Sequence, residues 1–111
     1  MQCLCRATGS GSTFWSYAGA RIRLVDGGLL ELFERVTADP DGTLTIKKYR
    51  YHWQDANDKV IRRWDNAAHH QHLPYTPHHV HLPDGSVEGV ADPPDALEVL
   101  DQIEAKLGRS E

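Results

Sequence analysis

The chain has 111 residues, 40% hydrophobic and 25% charged, a balance that excludes a disordered tail, a collagen-like repeat or a coiled coil. That length makes one domain, able to bury roughly two-thirds of its unfolded surface without a disulfide or a structural metal. No apolar run approaches the roughly 20 residues of a membrane span, and a net charge of −4 argues, as an average, against a nucleic-acid binder.

The average conceals an asymmetry. Residues 43–64 carry six basic side chains against two acidic ones, a net +4, while residues 84–111 carry two basic against eight acidic, a net −6. A basic centre beside an acidic end suits RNA or an acidic partner on one face, although such charges also simply solvate exposed faces. Histidine is the compositional outlier: seven in all, six of them between His69 and His81.

Cys3 and Cys5 stand too close to close a useful loop and lack a second pair for zinc. The absence of a disulfide framework fits a reducing cytoplasm. Residues 1–13 end in a small, polar run and are expected to be a loose leader, with the folded domain spanning 14–111. From Phe14 the pattern is of strands. Ala20, Ile22 and Leu24 alternate with Arg21 and Arg23, the period of a half-buried strand. Gly27-Gly28 offers a hairpin turn, and Leu29–Val36 returns as a second strand, with a helix as the alternative. A turn at 38–42 leads to a third strand, Thr43 to Gln54, and a fourth follows from Lys59 to Asp65.

The third strand slips in parity. Leu44 and Ile46 are apolar at even positions, Tyr49, Tyr51 and Trp53 aromatic at odd ones, so one extra residue near Lys47-Lys48 predicts a β-bulge, the alternative being a sheet covered on both faces. A two-residue turn at Asn57-Asp58 would place Tyr51 opposite Trp64 and Trp53 opposite Arg62 on one face, with Arg50 opposite Asp65 and His52 opposite Arg63 on the other. After a loop through His69, His70 and His72, Pro77–Leu82 is short and extended, and Ser86–Val90 returns beside it. Asp92 as cap, Pro93 at the first position and Gly108 as stop bound a final helix with an apolar stripe of Ala96, Val99, Leu100, Ile103 and Leu107. The fold class is therefore α+β: an antiparallel meander of four to six strands with a C-terminal helix on its aromatic face.

Histidine titrates near neutrality, so a pair can act as base and acid together. Cleavage of RNA by its own 2′-hydroxyl needs such a pair and a cation for the phosphoryl oxygens. His52, Lys48, Arg50, Arg63, Asp65, His79 and His81 share one face by strand parity, and His69 and His70 sit in a loop able to close over it. Asp65 is expected to orient Arg50 or a histidine. Lys47, Lys48, Arg62 and Asn66 complete an expected nucleic-acid surface.

The runs Tyr49-Arg50-Tyr51-His52-Trp53-Gln54-Asp55, Ile61-Arg62-Arg63-Trp64-Asp65-Asn66-Ala67, His69-His70 and Pro77-His78-His79-Val80-His81 resemble the TumE family of toxin-antitoxin toxins, over roughly positions 14 to 107. The resemblance implies a small antiparallel sheet with a terminal helix, a toxin's role, and a neighbouring DNA-binding antitoxin of winged-helix type. Asp58 departs from the family pattern, which often has glycine in that turn, and Ala68 replaces a frequent proline. Three readings of the histidines compete. They form a ribonuclease site needing no metal or other cofactor, which is the leading one, or a metal site built on His79-x-His81 with His69, His70 or Asp65 as further ligands. In the third they serve as structural groups or antitoxin contacts. A polar sheet face without a covering layer is also open to a homodimer.

Overall fold

A computed structural model describes residues 2–10, 13–68 and 70–108. Among the described residues seven strands run in chain order as an antiparallel meander: β1 (Gln2–Ser10), β2 (Thr13–Arg23), β3 (Leu29–Ala38), β4 (Leu44–Gln54), β5 (Val60–Asp65), β6 (His79–His81) and β7 (Val87–Gly89), followed by helix α1 (Ala96–Leu107). The strands β2 to β7 make the expected sheet, and Leu29–Ala38 is a strand rather than a helix. The first residues, read as a leader, run as β1 along the edge of β2 from Gln2↔Arg21 to Ser10↔Thr13. Backbone pairing needs no apolar side chains, so composition gave no sign of it.

Four hairpins share one turn. Leu24 with Gly28, Asp39 with Thr43, Asp55 with Lys59 and Leu82 with Ser86 each close a three-residue loop through paired backbone bonds. The last loop residue has positive φ: Gly27 at 90°, Gly42 at 89°, Asp58 at 64° and Gly85 at 86°. Three-residue loops commonly end in this left-handed conformation. Asp58 takes a glycine's place there, with its carboxylate accepting from the Gln54 amide.

The parity slip in β4 is a bulge. Arg35 pairs with Lys48 and Val36 with Ile46, leaving Lys47 as the extra residue. Beyond it Tyr51 faces Trp64, Trp53 faces Arg62, His52 faces Arg63 and Arg50 faces Asp65, as the predicted register requires. The turn is not the two-residue one expected. Its third loop residue is offset by a second irregularity beside Gln54, which leaves Ile61 unpaired and restores the register.

Leu30, Tyr49, Tyr51, Trp53, Trp64, Val99 and Ile103 form the core, where one face of α1 meets the aromatic face of the sheet. Asp95, not Asp92, caps the helix, because its carboxylate accepts from Glu98 N–H while Glu98 reaches back to Asp95 N–H. Twelve residues of helix span about 18 Å, whereas the eleven of β4 span about 37 Å. The sheet therefore outruns its cover, and Leu44 remains 70% exposed. Among the described residues no helix is long and apolar enough to cross a membrane.

Candidate active site on the polar sheet face

Alternation along β4, β5 and β6 sends the aromatic side chains to the helix and the polar ones to the other face. Two cross-strand rows result. One runs Phe33–Arg50–Asp65–His79–Gly89, the other Glu31–His52–Arg63–His81–Val87. The short strand β6 joins β5, so His79 stands beside Asp65 and His81 beside Arg63.

Asp65 is the hub. It is only 5% exposed, and its Oδ1 lies 2.8 Å from His79 Nε2. Oδ2 lies 3.4 Å from both His81 Nε2 and Arg63 Nε, and Ala67 N–H donates to Oδ1 at 3.0 Å. A buried carboxylate requires this density of donors and cations. His79 is 2% exposed, and its Nδ1 donates to the Pro77 carbonyl at 2.8 Å, which orients the ring with Nε2 toward Asp65. His81 reaches solvent with 29% of its side chain. Burial pushes its ring below the ordinary imidazole range; the Asp65 charge opposes that, while His79, Arg63 and His70 add to it. A neutral His81 offers a lone pair near neutral pH.

The loop carries a third imidazole into this group. The ring of His70 sits edge-on to His79 with centroids 4.8 Å apart, and 5.7 Å from His81. Gly89 makes the approach possible. A Cβ built there would lie 1.9 Å from the Pro74 carbonyl oxygen, so the loop crosses the sheet where the row Asp65–His79–Gly89 has no side chain. Its signal in the sequence, one glycine in a two-residue-period strand, is a weak one for close backbone approach.

The other expected residues divide. His52 shares the face but stands two strands away from His81, across Arg63, with its Nε2 against Gln54. Arg50 lies over the Phe33 ring at 5.5 Å, so Asp65 orients His79 and His81 instead. Lys48 is exposed opposite Arg35, a further cation on this face that sequence reasoning passed over. Lys47 is the bulge residue. Arg62 lies on the helix side, 3.3 Å from Gln102, because its parity is that of Trp64. Asn66 is engaged by backbone: Oδ1 accepts from Tyr49 N–H and Nδ2 donates to Lys47 C=O, clamping β4 at the bulge. His69 lies outside the described residues. His78 turns to the core side, its ring stacked on Tyr49 and its Nδ1 bonded to the Tyr49 hydroxyl at 2.9 Å.

No curated protein and no solved structure matches the chain. A family model described as Toxin TumE matches residues 11–109, which take in all of β2 to α1. With the motif runs in place along β4, β5 and β6, the chain belongs to the TumE toxin family.

Proposed function

We propose that this toxin binds RNA across the polar sheet face and cleaves its phosphodiester backbone there. The observation that carries the reading is the row His52–Arg63–His81 on three adjacent strands. Neighbouring strands lie about 4.8 Å apart, so the two imidazoles leave the sheet about 10 Å from one another with a guanidinium between them. A phosphate held by Arg63 would have an imidazole on either side. Arg35, Lys48 and Arg50 extend the positive surface along β3 and β4, where further phosphates could be neutralised. In the reaction the 2′-oxygen bonds to phosphorus and the bond to the 5′-oxygen breaks. The proton of the 2′-hydroxyl passes to the Asp65–His79–His81 group, and the 5′-oxygen is protonated from the His52 side.

Membership of a toxin family implies an antitoxin partner. We take that partner to be a DNA-binding winged-helix protein encoded next door, and the site of action to be the cytoplasm, where RNA is met. All the named groups come from one chain, so the chemistry does not require a homodimer. Expressed alone, the chain should arrest growth, and the antitoxin should rescue it. His52→Gln should abolish both toxicity and cleavage of RNA by the purified protein, with its thermal transition nearly unchanged. Cleavage should follow a bell-shaped pH profile. Full toxicity in His52→Gln, or loss only through unfolding, would make the histidines structural and refute the reading.

A further inference from the structure

We infer that His70, His79 and His81, beside Asp65, form a binding site for one divalent transition-metal ion of the imidazole-preferring kind, with zinc as the representative. Binding stands on geometry; only the role given to the ion rests on the RNA-cleavage reading.

One ligand nitrogen from each of the three rings lies within 4.8 Å of the others. Three nitrogens bound at about 2.1 Å in a tetrahedron sit about 3.4 Å apart, so small ring rotations close the set. His79 is already oriented for this. With Nδ1–H donating to the Pro77 carbonyl, Nε2 is the atom turned toward Asp65 and His81. A second hydrogen bond of this kind, fixing the tautomer, is what metal-bound histidines typically have. In the neutral ring, that Nε2 lone pair faces a carboxylate oxygen at 2.8 Å, two acceptors in contact that call for a cation. A proton on His79 supplies one positive charge; a divalent ion engages all three rings together and balances the buried Asp65 charge as well.

The surroundings suit a site with an open position. His79 and Asp65 are closed over by the loop that Gly89 admits, while His81 and Arg63 reach solvent. Ligands therefore come from the buried side and the vacant direction faces Arg63. There the ion would act as a Lewis acid on a phosphoryl oxygen that Arg63 also holds, and with the His79 and His81 lone pairs engaged on it the 2′-hydroxyl proton would pass to the Asp65 carboxylate, the remaining base of that group. Three nitrogen ligands select against magnesium and calcium, which prefer oxygen. The third ring brought in by the loop is what favours a metal over the metal-free arrangement expected from the sequence.

The test uses the purified full-length chain, freed of metal by dialysis against a chelator and titrated calorimetrically with zinc and, separately, with magnesium. We expect uptake of one zinc ion per chain, a raised thermal midpoint, and no response to magnesium. His70→Gln and His81→Gln should each weaken zinc binding by more than about tenfold, whereas His72→Gln should leave it unchanged. Cobalt, as a spectroscopic substitute in the unmutated chain, should give the intense visible bands of a tetrahedral nitrogen site, a readout independent of how the variants fold. No zinc uptake, uptake equal in the His70 and His81 variants, or a weak octahedral cobalt spectrum would overturn the inference. RNA cleavage is followed on the same samples. Zinc bound without any cleavage refutes the proposed activity and leaves the site standing. Full cleavage by the chelated chain overturns the role given to the metal.

Discussion

Gly89→Ala is the sharpest test of how the site is assembled. The new methyl carbon would start 1.9 Å from the Pro74 carbonyl oxygen and 2.9 Å from its carbon, whereas ordinary contact begins at 3.4 Å. Both obstructing atoms are backbone, so no side-chain rotation relieves the overlap; either the loop lifts or β7 leaves β6. Overpacking of this kind costs up to about 3 kcal/mol. The alanine returns roughly 0.4–1 kcal/mol by narrowing the unfolded ensemble, which leaves a net loss of about 2 kcal/mol. For a chain of this size that is a fall in thermal midpoint of roughly 10 °C. Gly19→Ala is the control, since its nearest non-neighbour atom lies at 3.6 Å and no positive φ is involved. The assay is paired chemical and thermal denaturation of both variants beside the parent chain. Lifting the loop also draws His70 away from His79, so zinc uptake should fall in Gly89→Ala alone. A Gly89→Ala protein with the parent's midpoint and the parent's zinc affinity would show that the loop does not lie across β7, and the roofed site would be refuted.

Three further outcomes follow from single contacts. Asp58→Gly should stabilise the chain by about 0.5 kcal/mol in urea unfolding, because glycine adopts the left-handed conformation at φ 64° without strain and only an exposed bond to Gln54 is lost. Asn66→Ala should cost about 1–2 kcal/mol by stranding Tyr49 N–H and Lys47 C=O at the bulge, while RNA affinity in a filter-binding assay stays at the parent value. Tyr49 is pushed up to about 12, chiefly by burial and also by the Asp65 charge, and Tyr51 is raised by burial and by Glu34. A phenol whose folded value lies above its ordinary value of 10.0 contributes stability that is fully present below pH 10 and is lost as pH climbs through the folded value. Alkaline unfolding should therefore coincide with phenolate absorbance from these tyrosines, and their early titration in the folded chain would refute the buried hydroxyl contacts.

Much of this protein was legible in one dimension because a strand repeats every two residues. Alternation separated Tyr51, Trp53 and Trp64 from His52, Arg63, Asp65, His79 and His81, and the break in alternation after Ile46 located the bulge at Lys47. The register across the β4–β5 hairpin was also legible, though through two errors that cancel: a loop one residue longer than expected, and one bulged residue opposite it. The stripe of α1 was clear, but its start was misplaced, since Asp92 and Asp95 both offer a capping carboxylate and only Asp95 has Glu98 three residues on. What lacked periodicity was decided in three dimensions. Nothing local says that His70 meets His79 and His81 or that Asn66 is engaged by the β4 backbone. Those placements depend on where the irregular stretches 66–68 and 70–78 can lie. That is governed by a contact between Pro74 and Gly89, fifteen residues apart in the chain, which no pattern within either segment encodes.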